Sequence, residues 1–159
     1  MDINAIGRRH HDWVARMGWH NKTVLEALAM VASEIGEAAD ECMGDEPTPR
    51  YGEELADIVL RTADIAQVHG INLQAAIDNV TIEWRDTSLR GAFAEVLVDM
   101  SHWVNAARAD TLNEQFTLSM ARVIRRVMDM AERSGVDLEA QVLRKISINE
   151  TRGTRGRRI

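Results

Sequence analysis

Apolar positions along this chain recur at intervals of three and four residues almost throughout, the spacing of one face of an α-helix. No useful length of sequence alternates with the two-residue period of a half-buried strand. The pattern predicts an all-α protein. A first amphipathic helix covers about 2–16 and breaks near Gly18. Thr23-Val24-Leu25-Glu26 is a capping box, in which the threonine hydroxyl accepts from an early amide and the glutamate reaches back. It opens a second helix that runs to Cys42 or Met43, with Leu25, Leu28, Ala32, Ile35, Ala39 and Cys42 as its packing stripe. Gly44-Asp45-Glu46-Pro47-Thr48-Pro49 reads as a loop. A helix over about 51–69 follows and stops at Gly70, a left-handed C-cap. Asn72 is placed to N-cap a helix from Leu73. Further helices are expected over about 92–108, from a second capping box at Thr111-Leu112-Asn113-Glu114 to Gly135, and from Leu138 behind an Asp137 cap.

The two halves resemble one another. Displacing the chain by 65 residues lays 55–79 on 120–144 without a gap, and seven of those 25 positions are identical. They include Arg61 with Arg126 and Asp64 with Asp129, which helix grammar alone does not explain. Arg90-Gly91 falls on Arg155-Gly156 by the same shift. The expected architecture is a single domain over 1–159, a helical bundle of two related helix-hairpin repeats at about 23–91 and 92–156.

The candidate chemistry lies in two rows of acids. Glu34 and Glu37 are three apart on one helix and share a face. They continue a row that begins apolar with Ala27 and Met30 and ends at Glu41, which puts them at the edge of a core. The next helix carries Glu54, Asp57, Arg61 and Asp64 on one face. Acid pairs of this spacing more often decorate a solvated face. Two pairs on the consecutive helices of a hairpin, both beside apolar stripes, instead bring four carboxylates together. Like charges so close raise one another's pKa, and a hard divalent cation removes that penalty. All-oxygen donors without His or Cys suit Mg2+ or Mn2+.

Composition narrows the setting. A chain of 159 residues can bury one sizeable core. A net charge of −6 disfavours stable nucleic-acid binding, for which a basic surface is needed, the basic stretch 152–158 being the exception. Cys42 is alone, so no intrachain disulfide forms, which fits a reducing compartment. No apolar run approaches the roughly 20 residues that span a bilayer, and residues 1–4 carry no signal-peptide pattern. A cytoplasmic location is the expectation.

Ser33-Glu34-Ile35-Gly36-Glu37, followed by Glu53-Glu54-Leu55-Ala56-Asp57-Ile58-Val59 and Gly70-Ile71-Asn72-Leu73, resembles the paired acid signature and turn of the MazG-like all-α nucleoside triphosphate pyrophosphohydrolases. Gly18-Trp19 resembles the family's approach to its first metal helix. The resemblance implies Mg2+-dependent cleavage of an NTP or dNTP to the monophosphate and pyrophosphate, in nucleotide-pool house-cleaning. Glu34, Glu37, Glu54 and Asp57 would be the metal ligands. The family's Lys, Asn and Arg beyond the turn are missing from the first half, where Val80, Trp84 and Thr87 stand, and present in the second as Lys145, Asn149 and Arg152. The second half in turn lacks the acids: Asp99, His102, Ser119 and Arg122 occupy their positions. This implies a fused pseudo-dimer with one metal site, acids from one copy and phosphate-binding groups from the other, and it leaves a further homodimer open. Where the family often has a glutamate before the first metal ligand, Ser33 stands here, so Glu41 and Glu53 become candidates for activating water.

Among the remaining residues, Arg61 would balance the acids or reach phosphate. Trp13, Trp19 and His20 would stack on or edge-bind a base, or pack on the bundle. His10 and His11 are expected at the surface and Cys42 in the core. Two other readings remain within reach: a catalytically inactive paralogue that binds nucleotide or protein, and an enzyme similar to phosphoribosyl-ATP pyrophosphatase. A di-iron bundle is disfavoured, because neither Glu37 nor Glu54 has a His three residues on.

Overall fold

The computed structural model describes residues 1–21, 23–44, 46–109 and 114–152, with the side chain of Arg152 excluded. Among these residues the protein is all-helical, with seven helices and no strand. They are α1 (Ile3–Met17), α2 (Val24–Asp40), α3 (Tyr51–Val68), α4 (Leu73–Asp78), α5 (Leu89–Arg108), α6 (Glu114–Arg133) and α7 (Leu138–Arg152).

The helix ends follow the local chemistry. The Asp2 side chain caps α1 through the Ala5 amide, and the capping box of Thr23 and Glu26 opens α2 with both of its bonds formed. Asn72 caps α4, Ser88 caps α5 and the Asp137 carboxylate takes the Ala140 amide ahead of α7. Gly18, Gly70 and Gly135 take positive φ of 64–67° at the ends of α1, α3 and α6. At Gly70 the next amide, Ile71, returns 2.8 Å to the Ala66 carbonyl, so the orphan carbonyls of α3 are closed off. The capping box expected at Thr111 falls outside the described residues. α4 is only six residues long, and the chain leaves the helix at Asn79 ahead of Val80-Thr81-Ile82. Three β-branched residues in succession lose side-chain freedom in a helix, which favours the break.

α3 is the axis of the bundle. It packs against α1, α2, α6 and α7 and is buried nearly all round, from Tyr51 and Leu55 through Ile58, Val59 and Leu60 to Ile65. α5 pairs with α6 and also touches α2, while α4 lies on α6. The core is continuous across these contacts, with Trp103, Phe116 and Tyr51 as its largest fully buried side chains. No helix among the described residues is long and apolar enough to cross a membrane.

Two expectations need correction. The buried face of α2 is Ala27, Leu28, Val31, Glu34, Ile35 and Ala38, whereas Leu25 is 45% exposed. The helix is turned toward α3 and α5 together, which draws Glu34 inward and leaves its first-turn leucine in solvent. His10 is also buried, because it continues the row Ile3, Ile6, Trp13 that faces α3. Its ring stacks on Trp13 at 5.6 Å, and burial lowers its pKa to about 4, so it is a neutral core residue at pH 7. His11 is half-buried, with Nδ1 2.7 Å from the Asp64 carboxylate.

Gly52 sets the approach of the chain around α7 to the first turn of α3. A Cβ there would lie 2.9 Å from Val136 Cγ1 and 3.2 Å from Gln141 Cγ. Alanine is the better helix former by about 1 kcal/mol, but overpacking costs about 1–3 kcal/mol. Gly52→Ala is therefore expected to be net destabilising by roughly 1 kcal/mol in urea unfolding; a stabilised variant would show that α7 yields freely.

Candidate metal centre

Because α3 is surrounded, its polar residues facing α2 are carried inward. Glu54, in the first turn of α3, is 3% exposed, and Glu34 on α2 is 7% exposed. Both figures are low for carboxylates, which are rarely buried without a partner. Asp57 lies one turn beyond Glu54 and is partly buried. Glu34, Glu54 and Asp57 each offer an oxygen within 4.8 Å of those of the other two. One ion could be reached by all three.

Each carboxylate also faces a cation. Arg61 Nε donates to Glu34 at 3.1 Å, Arg50 to Glu54 at 2.5 Å, and Lys145 Nζ lies 2.5 Å from Asp57. The three pairs differ in strength. Arg50 is mostly exposed, so its pairing is screened by water. Lys145 is nearly enclosed and spans Asp57 and Glu53, the latter at 3.0 Å. Burial opposes its charge, but the two acids outweigh burial and raise its pKa, keeping it an ammonium.

The acids are held against their charge. Burial, with Asp57 adding its repulsion, raises the pKa of Glu34 and of Glu54 despite Arg61 and Arg50. Burial likewise raises Asp57 against the pull of Lys145. Glu53, at the rim, goes the other way: its hydrogen bond from Lys145 lowers its pKa. A divalent cation would relieve the first three together, and an all-carboxylate donor set fits a hard ion such as Mg2+.

The structure gathers three of the four acids expected as ligands. Glu37 is exposed and accepts from the Ser33 hydroxyl at 3.3 Å. Its charge still raises the pKa of Glu34 and Glu54, so it borders the triad from outside. Glu41 is at the C-cap of α2, where it takes the Thr48 hydroxyl and lies 3.3 Å from Arg50. Asn149 follows Lys145 by one turn of α7 and makes no side-chain hydrogen bond among the described residues. Trp19 packs edge-on against the buried Trp13 at 5.0 Å. Cys42 is in the core, its thiol pushed up to about 11 chiefly by burial.

Sequence reasoning did not foresee Lys145 among the acids, nor Arg50 bridging Glu54 and Glu41. It also missed a cavity of about 430 Å³ between α1, α2 and α3, lined by His11, His20, Thr23, Asp64 and His69 among others. Asp57, Arg61 and Asp64 run along one face of α3, so the cavity lies about 10 Å along the helix axis from the triad. The sequence signal for it was His20, three residues before the Thr23 cap of α2.

The chain matches no protein-family model, no curated protein and no solved structure.

The raised carboxyl pKa of Glu54 has a definite linkage sign. A carboxyl that binds its proton more tightly when folded supports the fold below its unfolded pKa, and that support is lost as pH rises through the folded value. Without added metal, Glu54→Gln should melt above the parent at pH 7, because it removes the buried charge. The difference should vanish near pH 4. A gap independent of pH, or of opposite sign, would remove burial as the dominant cause.

Proposed function

We propose that this chain is a Mg2+-dependent nucleoside triphosphate pyrophosphohydrolase of the MazG-like type, converting an NTP, with dNTPs favoured, and water to the nucleoside monophosphate and pyrophosphate. The observation that carries the reading is the convergence of Glu34, Glu54 and Asp57 within 4.8 Å where α2 packs on α3. These three would hold the ion, with Glu37 beside them. Bound there, the cation would neutralise phosphate charge and make a water more acidic. The chain's own groups do the rest. Lys145, which touches Asp57, and Asn149, one turn further along α7, would supply an ammonium and an amide to stabilise charge growing on phosphate oxygens. Lys145 leaves Asp57 for a phosphate only if the ion takes over Asp57. Arg61 keeps Glu34 oriented through its 3.1 Å bond. Glu41, which shares Arg50 with Glu54, and Glu53, which shares Lys145 with Asp57, would be the candidates for taking a proton from water. The nucleoside end would enter the His11/His20 cavity further along the same face of α3.

The tandem reading is supported by an ion pair that recurs. Arg61 Nε meets Glu34, and Arg126 Nε meets Asp99 at 2.5 Å, each across 27 residues and each at positions related by the same 65-residue shift. α2, α3 and α4 match α5, α6 and α7 in order, and α4 lies on α6 as α7 lies on α3. The proposed protein is a pseudo-dimer whose first repeat supplies acids and whose second supplies Lys145. A second reading, an inactive nucleotide-binding paralogue, is favoured by the fact that each carboxylate of the triad already has a protein cation.

Mg2+-dependent release of pyrophosphate from a dNTP panel, with the monophosphate identified, separates the two. Asp57→Asn should lower turnover at least about a hundredfold, as loss of a metal-binding charge does in related chemistry. Turnover unaffected by Asp57→Asn, or formation of diphosphate and orthophosphate, would reject the proposed reaction; nucleotide binding without any turnover would establish the paralogue.

A further inference from the structure

The second repeat encloses a cavity of its own, about 390 Å³, between the 81–85 segment and helices α5 and α6. Its walls include Thr81, Trp84, Asp99, His102, Arg122 and Arg126. By the 65-residue shift these α5 and α6 positions correspond to those at and beside the acid triad, with fewer acids: Asp99 stands where Glu34 does and stays acidic, but Arg122 stands where Asp57 does, His102 where Glu37 does, and Ser119, outside the lining, where Glu54 does.

Apart from the exposed Glu83 carboxylate, the acidic acceptors in this cavity are already engaged. Asp99 takes Arg126 Nε at 2.5 Å. Glu95 lies 3.2 Å from Arg126 Nη1 and accepts the backbone amides of Arg85 and Asp86 at 2.7 and 3.0 Å. Arg126 also reaches the Glu83 carbonyl at 3.1 Å, and its guanidinium lies 4.5 Å from the Trp84 ring, which fixes it in place. The donors are not engaged. Arg122 is half-buried and His102 exposed, and neither makes an ion pair or side-chain hydrogen bond among the described residues. The buried indole N–H of Trp84 has no partner either. A half-buried guanidinium without a partner, next to an imidazole and a hydroxyl, calls for an oxyanion with several acceptor oxygens.

We propose that this cavity binds a phosphate-bearing small anion through Arg122, His102 and Thr81, as a second site distinct from the acid triad. The equivalence of positions rests on the tandem reading above, whereas the cavity and its spare donors do not. Under that reading the anion class is also that of the reaction's products, which makes the cavity a product-sensing site.

The test uses the full chain in EDTA, so that the triad has no ion and its acids repel anions. Inorganic pyrophosphate and, separately, a deoxynucleoside monophosphate are titrated by calorimetry against wild type, Arg122→Ala, Arg122→Lys and Lys145→Ala. The expected result is saturable binding of at least one probe, weakened at least about tenfold in Arg122→Ala, partly restored in Arg122→Lys and retained in Lys145→Ala. Pyrophosphate alone binding would identify the free anion, and the monophosphate alone the nucleotide. Absence of saturable binding of both probes overturns the proposal, as does binding that survives Arg122→Ala or is abolished by Lys145→Ala. Arg122 has no partner to lose, so the variant's melting temperature should match wild type. Hydrolysis without EDTA-resistant binding would remove this inference alone; Arg122-dependent binding without hydrolysis would remove the proposed reaction alone.

Discussion

The arrangement turns on burying three carboxylates where α2 packs against α3. Carboxylates lose water there and repel one another, which is costly unless positive charge comes close. The protein meets this cost from three directions, with Arg61 on the same helix as Asp57, Arg50 from the preceding loop and Lys145 from α7. Of these, Lys145 is the most enclosed and touches two acids. Its approach requires the close passage at Gly52, so the charge balance of the triad and the packing of the bundle are one problem.

Much of this was legible along the chain. Three- and four-residue spacing, three caps with side-chain oxygens and three glycines at helix ends were enough to place the seven helices, with at least one end of each within a few residues. Glu34, Glu54 and Asp57 could be grouped because i,i+3 spacing and an adjacent apolar row are local signals. What failed needed three-dimensional information. Leu25 belongs to an apolar series, but the helix rotates to satisfy α3 and α5 at once, and a first-turn residue falls off that face. His10 was misjudged by its chemistry rather than its register. Lys145 was expected at phosphate, but its pairing with Asp57 and Glu53 was not visible, since nothing local shows that α7 crosses the first turns of α3. Glu37 shares a helix face with Glu34 yet remains in solvent, because the edge of the buried zone passes between them.

Under the proposed tandem reading, the two halves share a scaffold around differently charged surroundings. Glu34–Arg61 and Asp99–Arg126 hold the same relation across their helices. In the first, other acids gather round the pair. In the second, an arginine and a histidine do, and the 80–88 connection, no longer helical, supplies Trp84 against Arg126. On the proposals made above, changing a few side chains around a constant ion pair would turn a place suited to cations into one suited to anions within the same frame of helices.

The placement of α7 on α3 affects the order in which the molecule can mature. During synthesis, α2 and α3 emerge as a hairpin well before Lys145 exists, so in the nascent hairpin Arg50 and Arg61 can already meet Glu54 and Glu34 while Asp57 and Glu53 still lack their cation. That seam gains from remaining loose and wet until the distant lysine arrives. Completion of the chain, rather than formation of the first hairpin, then becomes the event that closes the acidic site.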